Sequence, residues 1–362
     1  MKKYFIMAIA AAAITSCSQD EVMEVTQKEA INFGNPFVEN ATRAIDNTYH
    51  SQNNMPTSFK VYGTTKGNES GTTDVTIFNG VDVSESGNTW NYGEAYTQYW
   101  INGNTYNFAA VVGGTINNDK TISYKANYTE GNATDVDLLY DKDNYGVYTK
   151  GTSNQMVTFN FTHLLSKVHF TVKNTIASNV EGNVYTYKVT DVKISNALPT
   201  GSYDITKYLV ENQVGWTASG TGIPVSFGHV TNAVKNADVA EAVAIGTWTE
   251  DGETKGISEA TSCYARLLIP ATYTKAENDL ENKTGLIIEC TITTYLNGQS
   301  IDVESYKKSI GITLAEGKAY NFVISKGNPG DPIKFSATMS DWLNGNTHDS
   351  NNDNINDYVP VN

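Results

Sequence analysis

Apolar residues recur at every second position in long runs of this chain. Cys263, Ala265, Leu267 and Ile269 form one such set, and Leu286, Ile288, Cys290 and Ile292 form another. A period of two puts those side chains on one face, which suits a half-buried strand and not a helix. The pattern returns at Phe108, Ala110 and Val112, at Val157, Phe159 and Phe161, and at Val168, Phe170 and Val172. It returns again at Tyr320, Phe322 and Ile324, and at Ile333, Phe335, Ala337 and Met339. Further strands are expected over Val189–Ile194, Tyr203–Tyr208 and Val243–Trp248, and a short strand at Ile31 and Phe33, where Gly34, Asn35 and Pro36 end the run. Helical periodicity is confined to a short piece near Lys275–Glu281. The 22 Tyr and 29 Gly mix strand formers with turn formers, so the expected fold is all-β. The 362 residues are enough for two domains at ~100–200 residues each.

The first residues read as an address. Lys2 and Lys3 precede an apolar run from Tyr4 to Ile14, too short to span a bilayer that needs about 20 apolar residues. It fits a secretory signal peptide. Ile14, Thr15 and Ser16 ahead of Cys17 resemble the lipobox of bacterial lipoproteins. The Cys17 thiol would take a diacylglycerol by thioether linkage and its amino group an acyl chain. At ~0.8 kcal/mol per buried CH2, two or more chains make a stable anchor. An ordinary signal peptide with an incidental cysteine is the other reading. Ser18 to Glu21 resembles the acidic signal that sends some Gram-negative lipoproteins to the cell surface. Farther on, Arg43 stands among small residues ahead of Ala44. A lone arginine in such a segment is open to a trypsin-like protease; a solvated loop arginine is the plainer alternative.

Charge and motif content exclude several functions. There are 25 basic residues against 39 acidic ones, a net charge of −14. Nucleic acid needs clustered Lys and Arg, so no nucleic-acid partner is expected, nor an anionic lipid surface. Cys263 and Cys290 either form a disulfide, which an extracytoplasmic compartment permits, or stay as two buried thiols. No Cys/His cluster and no CxxC marks a metal site. Asp349, Asn351, Asp353 and Asp357 have calcium-loop spacing, but Asn354 stands where a Gly is needed and no Glu closes the loop. His163 and His169 lack a paired nucleophile or carboxylate motif and read as structural. No nucleophile elbow, HExxH or P-loop is present. An enzyme is not expected, and neither is a cofactor or a metal. Trp90, Tyr92, Tyr96, Tyr99, Trp100 and Tyr106 are either core packing or a sugar-stacking platform.

Several stretches together resemble the fimbrillin family, the pilins of type V pili. These are the Cys17 lipobox, the "ATRA" around Arg43, and "QYWINGNTYNFAAVV", "FTHLLSKVHFTVKN", "ARLLIPATY" and "DPIKFSATMSDW" in the family's order. The resemblance implies two tandem β-sandwich domains of transthyretin-like topology. It divides the chain into a leader (1–16), a lipidated propeptide with the first strand (17–43), sandwiches over 44–180 and 181–345, and a polar tail (346–362). It implies an outer-membrane lipoprotein precursor at the cell surface, cut after Arg43 by an arginine-specific protease. The cut removes the strand around Ile31 and Phe33, and a neighbouring subunit's strand fills the gap. The candidate donor is Ile355, Tyr358, Val359 and Val361. The implied partners are other pilus subunits, of the same or different kinds. An adhesin or glycan-binding lipoprotein, with a host or bacterial glycan or protein as receptor, is the alternative.

Overall fold

The computed structural model describes residues 28–38, 56–87, 89–128, 136–149, 156–175, 182–183, 185–211, 213–233, 243–244, 248–250, 253–255, 265–341 and 357–359. The leader, Cys17, Arg43, Ala44, Cys263, Ile355, Val361 and the calcium-like spacing other than Asp357 lie outside the described residues.

The first strands are β1 (Asn32–Phe33), β2 (Phe37–Val38), β3 (Ser58–Lys66), β4 (Val75–Ser86), β5 (Thr89–Asn91), β6 (Thr105–Val112), β7 (Thr121–Lys125), β8 (Leu139–Val147), β9 (Met156–Val157) and β10 (Asn160–His163). Seven of them form a sheet in the order β2-β10-β8-β6-β3-β4-β5, and β1 pairs with β9. Along β3 every second residue is buried, the signature of one face turned to a core. Gly63 lies on that face. A side chain there would stand within 2.9 Å of the Phe78 ring and 3.0 Å of the Phe108 ring, so the glycine is what lets those rings close over the strand. The first core gathers Phe33, Phe59, Phe78, Phe108, Phe159 and Phe161 with Trp90, Trp100 and Tyr106.

The later strands are β11 (Ser166–Asn174), β12 (Tyr185–Ala197), β13 (Thr200–Asp204), β14 (Trp216–Ser219), β15 (Ile223–Ala233), β16 (Val243–Ala244), β17 (Trp248–Glu250), β18 (Glu253–Lys255), β19 (Ala265–Leu268), β20 (Ala271–Tyr273), β21 (Leu286–Leu296), β22 (Gln299–Ile310), β23 (Ile312–Leu314), β24 (Lys318–Lys326), β25 (Lys334–Asp341) and β26 (Asp357–Val359). One sheet runs β16-β11-β24-β25-β26 with β19 also on β11, and another runs β15-β12-β21-β22. Their apolar faces share a second core, in which Phe170 meets Phe227 at 4.7 Å and Phe322 at 5.2 Å between ring centroids. The molecule is thus all-β.

The two cores do not follow the chain in one simple cut. After β6 the chain leaves the first unit, and β7 joins β13 and β14, pairing Thr121–Lys125 with Thr200–Asp204. Ile122, Tyr124 and Tyr128 belong to the second core before β8 returns to the first sheet. Tyr140 of β8 and Tyr208, both buried with the second core, cross their rings at 4.7 Å.

Three local expectations change. The piece at Lys275–Glu281 is a series of turns with no helix. Asp279 explains this: its carboxylate accepts from the backbone N–H of Lys283 at 2.8 Å and of Thr284 at 2.7 Å, which competes with helical bonding. The strand expected over Tyr203–Tyr208 ends at Asp204, whose carboxylate accepts from Thr206 N at 3.0 Å and caps a 3-10 turn over Ile205–Lys207. In β19 both faces are buried, and Arg266 is only 1% exposed. Its guanidinium donates to the carbonyls of Ser226 (2.9 Å) and Asn127 (3.3 Å).

Candidate functional site

The segment from Glu29 to Val38 lies in a slot of the first unit. It is bonded on both flanks. On one side β1 runs parallel to β9, with Phe33 opposite Val157, and Gly34 N donates to Val157 O at 2.9 Å. Next to it β2 runs parallel to β10, with Phe37 opposite Asn160 and Val38 opposite Phe161. On the other flank Ile31 N donates to Gln98 O and Trp100 N to Glu29 O, both at 2.9 Å. A bridge joins Ala30 to Tyr99.

Ile31 and Phe33 of this segment turn toward the body. Ile31 and Phe33 are buried. The Phe33 ring sits among Phe59, Phe78, Tyr92, Phe108 and Phe159, with centroids 5.5–6.3 Å away. Edge-to-face pairs of this kind add to the burial itself. The same parity continues outward as polar contacts. Trp90 Nε1 donates to Asn35 Oδ1 at 2.8 Å, and the Tyr148 hydroxyl donates to Glu29 Oε2 at 2.6 Å. The Tyr92 hydroxyl donates to the Ile31 carbonyl. Burial raises the Tyr92 pKa above its ordinary value, which keeps the phenol a donor. Gly34 allows the close approach, because a Cβ there would stand 2.9 Å from Thr158 Oγ1.

Sequence reading finds Ile31 and Phe33 but not their partners. The four-term alternation Glu29, Ile31, Phe33, Asn35 is visible in the sequence; Trp90 and Tyr148, 55 and 119 residues away, are not.

The other candidates separate cleanly. Trp90, Trp100 and Tyr106 are core, with Trp100 stacked on Tyr148 at 5.0 Å. Only Tyr96 and Tyr99 of that aromatic group are strongly exposed, beside exposed Ile101. His163 does have a carboxylate partner: its Nδ1 lies 2.7 Å from Asp137 Oδ2, and both side chains are buried. His169 is also buried, on a strand that pairs with β19 on one edge and β24 on the other. Cys290 is buried in β21, and burial pushes its thiol up to about 12. At the far end of the chain, β26 adds to β25 in antiparallel register, Tyr358 opposite Thr338 and Val359 opposite Ala337. Among the described residues no group of three or more His, Cys, Asp or Glu is placed to hold a metal ion.

A family model described as fimbrillin-like matches residues 42–342. Comparison with curated proteins gives no match. Among solved structures, a fimbrial protein from Bacteroides vulgatus is similar at 14% identity, with a TM-score of 0.53 over 87% of this chain and 100% of that one. The tip fimbrial protein of Porphyromonas gingivalis with a C-terminal truncation matches at 13% identity, covering 87% and 99% of the two chains with a TM-score of 0.40. The first likeness is one of fold.

Proposed function

The chain belongs to the fimbrillin-like family, and from that premise we propose that it is a structural pilus subunit assembled by strand exchange. In this reading Cys17 is acylated, the precursor reaches the cell surface through its outer-membrane anchor, and an arginine-specific protease cuts between Arg43 and Ala44. The family is a structural one of fimbriae and not an enzyme family.

The slot holding Glu29–Val38 carries the proposal. Its occupant is joined to the rest of the body only through residues beyond Val38, where Arg43 stands. A cut there turns a covalent strand into a bound peptide. Its departure exposes the Phe-lined pocket and unpaired backbone groups of Gln98, Trp100 and Val157, an edge that accepts a strand from another chain. Each backbone bond regained contributes ~1 kcal/mol, and refilling the Phe33 pocket adds ~1.5–3 kcal/mol. The chain has two arginines, Arg43 and Arg266. Burial of Arg266 leaves Arg43 as the candidate target for such a protease. The break between the cores, with Phe161 in the first and Leu164 in the second, supports an inter-sandwich boundary between residues 163 and 180 in this reading.

Arg43→Ala should yield a full-length lipidated precursor that forms no SDS-resistant polymer on gels of surface extracts. Normal polymers from that variant would refute the proposal. The exposed pair Tyr96 and Tyr99 favours a second reading, an adhesive surface for a glycan or protein receptor at a pilus tip. That reading expects saturable glycan binding that Tyr99→Ala abolishes without lowering the melting temperature.

A further inference from the structure

Among the described residues β22 is the outer edge of the sheet β15-β12-β21-β22. It pairs with β21 along one side, and every residue from Gln299 to Lys308 is at least partly exposed. A bare edge of this length is a template for another strand unless something interrupts it. Here both ends are interrupted. Tyr295 stands opposite Ser300 and Thr294 opposite Asp302, which leaves Ile301 as the extra residue of a bulge. At the other end Asn282 Oδ1 accepts from Ser309 N at 3.0 Å, and Asp279 Oδ2 from Ser309 Oγ at 3.1 Å. Between these stops lies an open stretch from Asp302 to Lys308, centred on Ser305. The Ser309 contact also fixes which way the edge groups point, because its N–H is turned away from β21. Backbone groups alternate in direction along a strand, so Val303, Ser305 and Lys307 turn theirs outward as well.

We propose that this stretch pairs with the same stretch of a second copy of the chain, antiparallel about a two-fold axis through Ser305. Ser305 then faces Ser305, and Val303 faces Lys307 on either side of it. Each such facing exchanges two backbone bonds. At the closer positions, where no backbone bonds are exchanged, Asp302 faces Lys308, and symmetry repeats that pair at the other end. Both side chains are exposed, and neither has an ion pair or side-chain hydrogen bond among the described residues. Opposite charges placed across a pair of strands attract, and like charges repel. Glu304 faces Tyr306, and its charge is already met by Lys326 of its own chain at 3.3 Å. Sliding one copy by two residues puts Glu304 opposite Glu304 in one direction. In the other it sets Val303 against Ser309, whose N–H is taken. The net charge of −14 opposes the contact, so it is weak between single subunits and adds up where copies are held in line. That last step rests on the pilus reading; the pairing itself does not.

The test is sedimentation equilibrium of the uncut, unacylated protein, whose slot stays filled, at physiological salt and rising concentration. The parent chain forms a dimer. Asp302→Lys and Lys308→Asp each weaken it about tenfold or more, because two attractive pairs become two repulsive ones. Mixed in equal amounts, these two variants associate with each other as the parent does, since every facing of 302 and 308 between them is again of opposite sign. Ser305→Pro removes an outward donor, leaves the bonds to β21 in place, and abolishes the dimer. Unchanged melting temperatures verify that the variants are folded. A parent that stays monomeric throughout would mean that Lys307 and Lys308 guard the edge, and it overturns the proposal. So does a mixture of the two charge variants that fails to associate, or a dimer that survives Ser305→Pro.

Discussion

Phe33 is the residue on which the slot is built, because its ring touches both strands that stay and the aromatic residues between them. Phe33→Ala should cost ~3–5 kcal/mol of first-unit stability, the range for deleting a buried ring. Urea unfolding followed by tryptophan fluorescence reads it, since Trp90 and Trp100 lie in that core. Glu316 gives a pH-dependent counterpart in the second unit. Burial raises its carboxyl above the ordinary 4.5, and the hydrogen bond from the Tyr203 hydroxyl only partly offsets that. Its second oxygen has no partner among the described residues. A raised acid binds its proton more tightly when folded than when unfolded, so stability falls as pH rises from about 4.5 through the raised value. Glu316→Gln keeps the acceptor and removes the charge. Its melting temperature should exceed wild type at pH 7, and the gap should close toward pH 4. A constant gap across that range would rule the linkage out. At this scale Ile31 and Phe33 were legible in the sequence by their alternation. Asn35 to Trp90 and His163 to Asp137 were not, because a side-chain hydrogen bond over many tens of residues leaves no local pattern.

Strands were legible wherever one face is buried and the other wet, as in β3, β21 and β24. Alternation failed where that condition fails. In β19 both faces are covered, and Arg266, between the alternating Ala265 and Leu267, is interior in the fold. At Asp204 and Asp279 a carboxylate takes over backbone bonding and ends or prevents the regular element. The placement of β7 was hidden for a different reason. Its alternation says that it is a strand, but only the partner's register says that it belongs with β13. That excursion makes the units interdependent. Asp141 of β8 lies at the seam, accepting from Asn160 N at 2.6 Å through one oxygen and from the Tyr208 hydroxyl at 3.3 Å through the other. Asp141→Ala leaves the Asn160 N–H unmet, at a cost of ~1–3 kcal/mol. Calorimetry should show a lower transition for the first unit. An unchanged thermogram would mean that the seam carries no stability.

Over the whole molecule, the net charge of −14 keeps subunits soluble and apart until a specific edge is opened. In the proposed reading the slot supplies that edge and Arg43 the release, while β26 pairs with β25 on its own sheet. The fold class and family were legible from strand rhythm and motif order. The polar contacts of Asn35 and Glu29 needed three dimensions, since they join this segment to β5 and to the residue after β8. The most direct test is intact mass and N-terminal sequencing of the protein in SDS-resistant, high-mass polymers from its native cell surface. Chains beginning at Ala44 are the predicted result. Polymers built from chains that still begin at acylated Cys17 would contradict the account, because the resident strand would then never have left its slot.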